Sequence, residues 1–318
     1  MTSPAPSASR SRRVVVKVPA TTANLGPGFD ALGLALDLWN QAEFSPAADG
    51  RIAVQVRGEG RKVLPLDERN AVAQAALMMY RRAGKPCPGL RIRCVNRVPL
   101  GSGLGSSSAA TLTGLLGANA LLGNPFSREE ILELAIEAEG HPDNVAPAML
   151  GGLTASLIQG SHVLSLRLPL ASRRSPIHVT VALPEFDFST AQARAVLPAL
   201  IERWDAIHNL SRTVMVTEAF RRGDLHLLGE AMEDRLHQPY RLPLIPGAQD
   251  AMQAMKRAGA SAVALSGAGP SLIAFSAAEE SAIGEAAKRA FAQAGLSSRV
   301  YRLRISRRGA EVKESAVP

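Results

Sequence analysis

Aromatic residues make up only 4% of this 318-residue chain, and there are two cysteines. The first shortage leaves no interleaved aromatic and basic stripe of the kind that stacks nucleobases, so nucleic acid is not an expected partner. The second excludes a disulfide framework and a cysteine-based zinc site, and Cys87 and Cys94 read as packing residues of a cytoplasmic chain. No uninterrupted apolar run is long enough to span a bilayer. The most apolar stretch, residues 109–122, is broken by Gly114 and Gly117, so no membrane partner is expected either. Acids are missing from residues 1–13 and from residues 299–308. Arg10, Arg12 and Arg13 near the start and Arg299, Arg302, Arg304, Arg307 and Arg308 near the end account for the whole formal charge of +8, leaving the remainder neutral.

What is present is a 46% hydrophobic, 20% charged composition with material for two domains. Its most informative stretch is Pro99-Leu100-Gly101-Ser102-Gly103-Leu104-Gly105-Ser106-Ser107-Ser108-Ala109-Ala110. Glycines without Cβ let backbone N–H groups approach an anion, and a helix N-terminus adds unpaired donors and a positive dipole end. The stretch reads as a phosphate cradle. A Walker A loop would need Lys-Ser/Thr after its last glycine, and a dinucleotide fingerprint would need glycine at Ser106. A serine-capped tight turn is the plainer alternative.

Residues 1–13, rich in Ser, Pro, Ala and Arg, read as a disordered tail. Strands are expected at residues 14–18, 51–56, 90–95, 153–158, 162–168, 177–183, 262–265, 272–275 and 299–305. Helices are expected at 70–83, 107–122, 128–139, 190–197, 200–220, 224–236, 248–258 and 281–294, the third opened by a Ser127/Glu130 capping box. Residues 19–29 read as a binding loop. Elements are mixed rather than strictly alternating, which predicts an α+β fold in two lobes, with the boundary near residues 160–175.

Two further motifs flank the glycine loop. Residues 19–30 (PATTANLGPGFD) end in a carboxylate, and residues 266–271 (SGAGPS) form a second glycine-rich turn. In this order the three resemble the signatures of the GHMP kinases, named for galacto-, homoserine, mevalonate and phosphomevalonate kinases. Residues 24–30 (NLGPGFD) and 139–147 (EGHPDNVAP) narrow the resemblance to the homoserine kinase branch. The resemblance implies a ribosomal protein S5 domain 2-like ATP-binding lobe over residues 14–168 and a ferredoxin-like lobe over 169–318. It also implies ATP, Mg²⁺, L-homoserine and a homodimer. Another small alcohol, or a scaffold that binds without turnover, are the alternatives.

By that resemblance, Pro99, Leu100, Gly101, Ser102, Gly103, Leu104, Gly105, Ser106, Ser107, Ser108 and Ala109 wrap the ATP phosphates. Ser107 and Glu133 hold Mg²⁺, with Glu137 and Glu139 as the other candidate acids. Asn24, Asp30 and Asp143 address the ammonium and hydroxyl end of the substrate, Asn144 holds the hydroxyl, and His141 and Thr190 also bind the substrate. Arg194 and Arg241 fork onto its carboxylate, with Arg235 competing for the second place. Asn24 and Asn144 are the expected catalytic positions. An amide cannot take a proton near neutrality, so they hold the hydroxyl in line rather than act as bases. His178, His208 and His226 have no metal-ligand spacing.

Overall fold

The computed structural model describes residues 12–160, 162–172 and 177–316. The first lobe is built from β1 (Arg12–Ala23), β2 (Leu32–Pro46), β3 (Ile52–Gly58), α1 (Ala71–Arg82), β4 (Leu90–Asn96), α2 (Ser106–Leu121), α3 (Arg128–Glu139), α4 (Val145–Leu150), β5 (Leu153–Gln159) and β6 (His162–Leu168). The second holds β7 (His178–Pro184), α5 (Thr190–Ala195), α6 (Arg203–Arg222), α7 (Leu225–Ala231), α8 (Gln238–Arg241), α9 (Ala248–Arg257), β8 (Ala262–Leu265), β9 (Leu272–Ser276), α10 (Ser281–Gln293) and β10 (Ser298–Arg304). A last strand, β11 (Glu311–Ala316), follows.

The first sheet runs β11-β1-β2-β4-β3, with β5 joined to β2 and β6 to β5. Besides the unexpected strand β2, three features depart from the sequence expectation. Arg12 and Arg13, assigned to the tail, open β1, whereas residues 1–11 lie outside the described part. Residues 19–23, expected in a loop, extend β1 along β2 past a register shift at Pro19/Ala20, the kind of irregularity that admits a proline. The terminal strand β11 pairs antiparallel with β1, so residues 311–316 leave the expected second lobe and complete the first sheet.

The second sheet is antiparallel and ordered β10-β7-β9-β8, which is the β-α-β-β-α-β arrangement of the ferredoxin-like fold. Apart from the edge strand β10, whose Arg299, Arg302 and Arg304 are exposed, its strands are buried on both faces. Val179, Val181, Ile273 and Phe275 face a core shared with Leu25, Leu34 and Leu104 of the first lobe, and Ala182, Leu272 and Ala274 face α9 and α10. The shared core is closed by Phe220 of α6, edge-on to Phe275 at 5.3 Å. Burying each such ring stabilises by about 2 kcal/mol, and because the same core takes in Leu25, Leu34 and Leu104, the lobes are packed against each other rather than merely linked.

Helix α2 lies inside the first lobe with apolar residues all round. A Cβ at Gly114 would stand 2.2 Å from the carbonyl oxygen of Val72, and one at Gly117 would meet the Phe44 ring at 2.4 Å. These glycines let α1 and β2 close on α2, fixing where its N-terminus emerges.

Candidate active site

That N-terminus opens between the lobes. Gly101, Gly103 and Gly105 all have positive φ, and Gly105, at 68°, ends the loop just before Ser106 without any side chain capping the helix. A Cβ on Gly105 would lie 2.0 Å from Thr21 Oγ1, and one on Gly103 would lie 2.2 Å from the carbonyl oxygen of Ser266. The two glycine-rich turns are therefore back to back. Ser266 Oγ donates to the carbonyl of Gly103 (2.8 Å) and is 2.9 Å from Thr22 Oγ1, while the Gly267 N–H donates to the carbonyl of Ala23.

A cavity of about 170 Å³ sits over the helix end. Gly101, Ser102, Gly103, Gly105, Ser106, Ser107 and Ser108 line it, together with Asn24, Asp30, His141, Asp143, Asn144, Thr190, Arg194 and Arg241. Pro99, Leu100, Leu104 and Ala109 do not. Leu104 is buried with its carbonyl bonded to the Thr21 N–H, Pro99 accepts from Ser102 Oγ, and Ala109 packs in the core. Leu100 faces an adjoining cavity of about 210 Å³, which shares Gly101, Ser106 and Ser107 with the first and continues to Asn40, Leu64, Asn70 and Asn96. A larger hollow of about 560 Å³ lies along Asp37, Trp39 and Arg304, away from both glycine turns.

The acid beside the serines is Glu139, not Glu133. Its carboxylate accepts from Ser107 Oγ (3.0 Å), Ser108 Oγ (3.1 Å) and Thr111 Oγ1 (2.7 Å). Glu133 and Glu137 are exposed on α3 and outside the cavity. Glu139 is the last residue of that helix, where Gly140 turns the chain at φ 79°, which brings its carboxylate to the first turns of α2. No cluster of three or more His, Cys, Asp or Glu suited to a metal occurs among the described residues.

Opposite the helix end, the substrate-side residues come from both lobes. Arg194 grips Asp30 through two nitrogens, at 3.1 and 2.9 Å. His141 Nδ1 is 2.8 Å from Asp143 Oδ1, and that bond holds the imidazole pKa above its ordinary value. Asn144 Oδ1 accepts from Thr21 Oγ1 at 2.8 Å, leaving the amide N–H groups for a ligand. Asn24, expected to hold the reacting hydroxyl, also braces the site: its Nδ2 donates to the carbonyl of Gly267 and its Oδ1 accepts from the Asp30 N–H. Arg241 is only 2% exposed, and no carboxylate among the described residues lies within ion-pair range of it. Burial, helped by the Arg194 charge, pushes its pKa down to about 10. Arg235, the competing arginine, faces Asp205 and Glu233 at the surface.

A buried network behind this side escaped the sequence reading. Asp234 accepts from Asn209 Nδ2 and from the N–H groups of Leu236, His237 and Gln238. Asn209 and Thr213 also donate to the carbonyl of Pro27, so the second lobe holds the loop that carries Asn24 and Asp30. The one signal available was an aspartate preceding a run of backbone donors, an Asx-type turn.

Two family models match: the GHMP kinases N terminal domain over residues 70–152 and the GHMP kinases C terminal domain over 216–294. The homoserine kinase of Moorella thermoacetica is 44% identical over 299 residues, covering 94% of this chain and 99% of that protein. The crystal structure of the Cytophaga hutchinsonii homoserine kinase superposes with a TM-score of 0.84 at 32% identity, covering 95% and 97% of the two chains. The L. major mevalonate kinase shares the fold at 15% identity, with a TM-score of 0.71 and coverage of 91% and 94%. The chain thus belongs to the homoserine kinase family of GHMP kinases and is a phosphotransferase acting on an alcohol group.

Proposed function

We propose that this chain transfers the γ-phosphoryl group of ATP to the side-chain hydroxyl of L-homoserine, giving O-phospho-L-homoserine for threonine biosynthesis. The observation that carries the reading is one cavity with an open helix N-terminus on one wall and a buried, carboxylate-free arginine on the other. The first suits a phosphate and the second a small carboxylate.

In this reading the triphosphate lies across Gly101 to Ser108 and the nucleoside occupies the adjoining 210 Å³ cavity. The substrate carboxylate meets Arg241 and Arg194, and its ammonium faces Asp30 and Asp143. Thr190 lies at the start of α5 on the same wall. Ser107 and Glu139 supply oxygen donors of the type Mg²⁺ takes, and with phosphate oxygens completing the shell they fit that ion. When bound, Mg²⁺ neutralises phosphate charge. Asn144 and Asn24 donate to the hydroxyl oxygen and fix its line of approach. Asp143 already serves His141 and Asn144 is an amide, so the hydroxyl proton leaves late, to a phosphoryl oxygen.

Purified protein incubated with ATP, Mg²⁺ and a panel of small alcohols tests the reading. O-phospho-L-homoserine is the expected product, and turnover of mevalonate or shikimate in its place would overturn it. If Asn144→Asp raised the rate with a new acidic limb while Asn144→Ala did nothing, the base-free step would fail.

A homodimer and a cytoplasmic setting go with the same reading. Trp204, Ile207, Leu210 and Val214 of α6, with Leu200 and Ile201 just before it, are exposed apolar residues that support self-association. Light scattering should report a dimer that Trp204→Glu weakens.

A further inference from the structure

We propose that His237 is a positioning residue: held in one neutral tautomer, it locks the Arg241 guanidinium onto the substrate carboxylate and ties it to the loop carrying Asn24 and Asp30. The proposal rests on the homoserine reading for the identity of that carboxylate.

His237 is fully buried. Its Nε2 lies 2.8 Å from the carbonyl oxygen of Gly26, an atom that can only accept, so the ring proton is on Nε2. Its Nδ1 lies 3.3 Å from Arg241 Nη1, which can only donate, so Nδ1 offers a lone pair. Both neighbours select the same neutral form. The charged groups facing the ring are Asp234, Arg241 and Asp30, and burial outweighs the two acids to push its pKa down.

Arg241 is thereby held on two edges and one face. Nε donates to the carbonyl of Ala193 at 2.9 Å, Nη1 donates to His237, and the guanidinium lies 5.1 Å from the centre of the Phe29 ring. Phe29 in turn stacks on His237, with centroids 5.2 Å apart and 24° between planes. Nη2 has no acceptor among the described residues, and Arg241 lines the cavity. Gly26 and the preceding Asn24 and Leu25 are all left-handed, an arrangement two non-glycine residues adopt only when held. His237 supplies one of those holds. It therefore acts on substrate affinity through Arg241, without touching the substrate, while its Gly26 contact fixes which nitrogen carries the proton.

Two substitutions separate these contacts. Asn at 237 keeps an acceptor near the Nδ1 position, and Gln keeps a donor near Nε2. We expect His237→Gln to raise KM for L-homoserine by about 10- to 100-fold, the loss of one charge-assisted hydrogen bond, and to leave KM for ATP within about twofold. His237→Asn should stay close to wild type in both. 3-Amino-1-propanol, which lacks the carboxylate, should be used equally by all three proteins. Equal homoserine KM values in the Asn and Gln variants, or a parallel loss toward aminopropanol, would overturn the proposal. ¹⁵N shifts of His237 in the wild-type protein give a readout that does not depend on the substrate. A neutral, Nε2-protonated ring between pH 6 and 8 is expected, and a cationic or Nδ1-protonated ring overturns the proposal even where homoserine is not the substrate.

Discussion

Replacing Arg241 by methionine should cost the protein almost none of its stability and nearly all of its grip on the substrate. The side chain is 2% exposed and its pKa is pushed down to about 10 from an ordinary 12.5. At 1.36 kcal/mol per unit, the site disfavours the charged form by about 3 kcal/mol. Methionine removes that cost and keeps most of the packing against Phe29. It also abandons two hydrogen bonds and leaves Ala193 O and His237 Nδ1 without a donor, a loss of roughly 2 to 4 kcal/mol. The two nearly cancel, so thermal denaturation should shift by less than about 4 °C. Affinity has no such compensation. A carboxylate deprived of its buried partner should raise KM for homoserine by about 100-fold or more, with KM for ATP unchanged. Scanning calorimetry and steady-state kinetics on Arg241→Met decide it. A melting point lowered by about 10 °C with an unchanged homoserine KM would show that Arg241 is a structural strut and refute the reasoning.

Glu139→Gln should raise the Mg²⁺ concentration for half-maximal rate at least about tenfold, and Glu133→Gln should leave it unchanged; the reverse order in a metal titration would restore Glu133. Asp143→Asn should bring the raised His141 pKa back toward its ordinary value in an NMR titration. Because the folded pKa is raised, that contact stabilises fully below about pH 6.5 and its contribution fades as pH rises through the folded value. Wild-type stability relative to Asp143→Asn should shrink over that window, and a difference that grows with pH would contradict the assignment. Gly103→Ala puts a methyl 2.2 Å from Ser266 O at φ 74°, which forces the two turns apart. A shift of about 1 Å there should lower kcat/KM for ATP by about 100-fold, and near-native kinetics would show that the turns need not touch.

Much of this architecture was legible because period and punctuation agreed with burial. The Ser127/Glu130 capping box and the Gly140 stop marked α3 at both ends, and β8 lay where its apolar run predicted. Strand β2 was missed. Its buried first half includes Gly33, whose missing side chain admits the Asp143 carbonyl, so tertiary packing rather than strand propensity sets its conformation. Strand β11, with the sequence EVKESA, is short and mostly polar, and only pairing with β1 makes it a strand. At the site, the motifs brought the right neighbours together but could not choose among acids on one helix. That choice depends on which turn of α3 faces α2, and no sequence spacing records it. His237 and Asp234 carry no motif of their own, because their roles exist only once two distant segments are folded against them.

The pairing of β11 with β1 makes the second lobe an insertion in the first. The chain leaves the first sheet after β6 and re-enters it at β11, so the ferredoxin-like lobe is tethered by two crossings instead of one. A doubly tethered body cannot swing about a single linker. Any movement of one lobe against the other is confined to a hinge about the line joining those crossings, across the shared core around Phe220. The C-terminal strand is thus the second anchor of that hinge. Shortening the chain before residue 311 should disturb the nucleotide half of the enzyme, although the missing segment follows the substrate half in sequence.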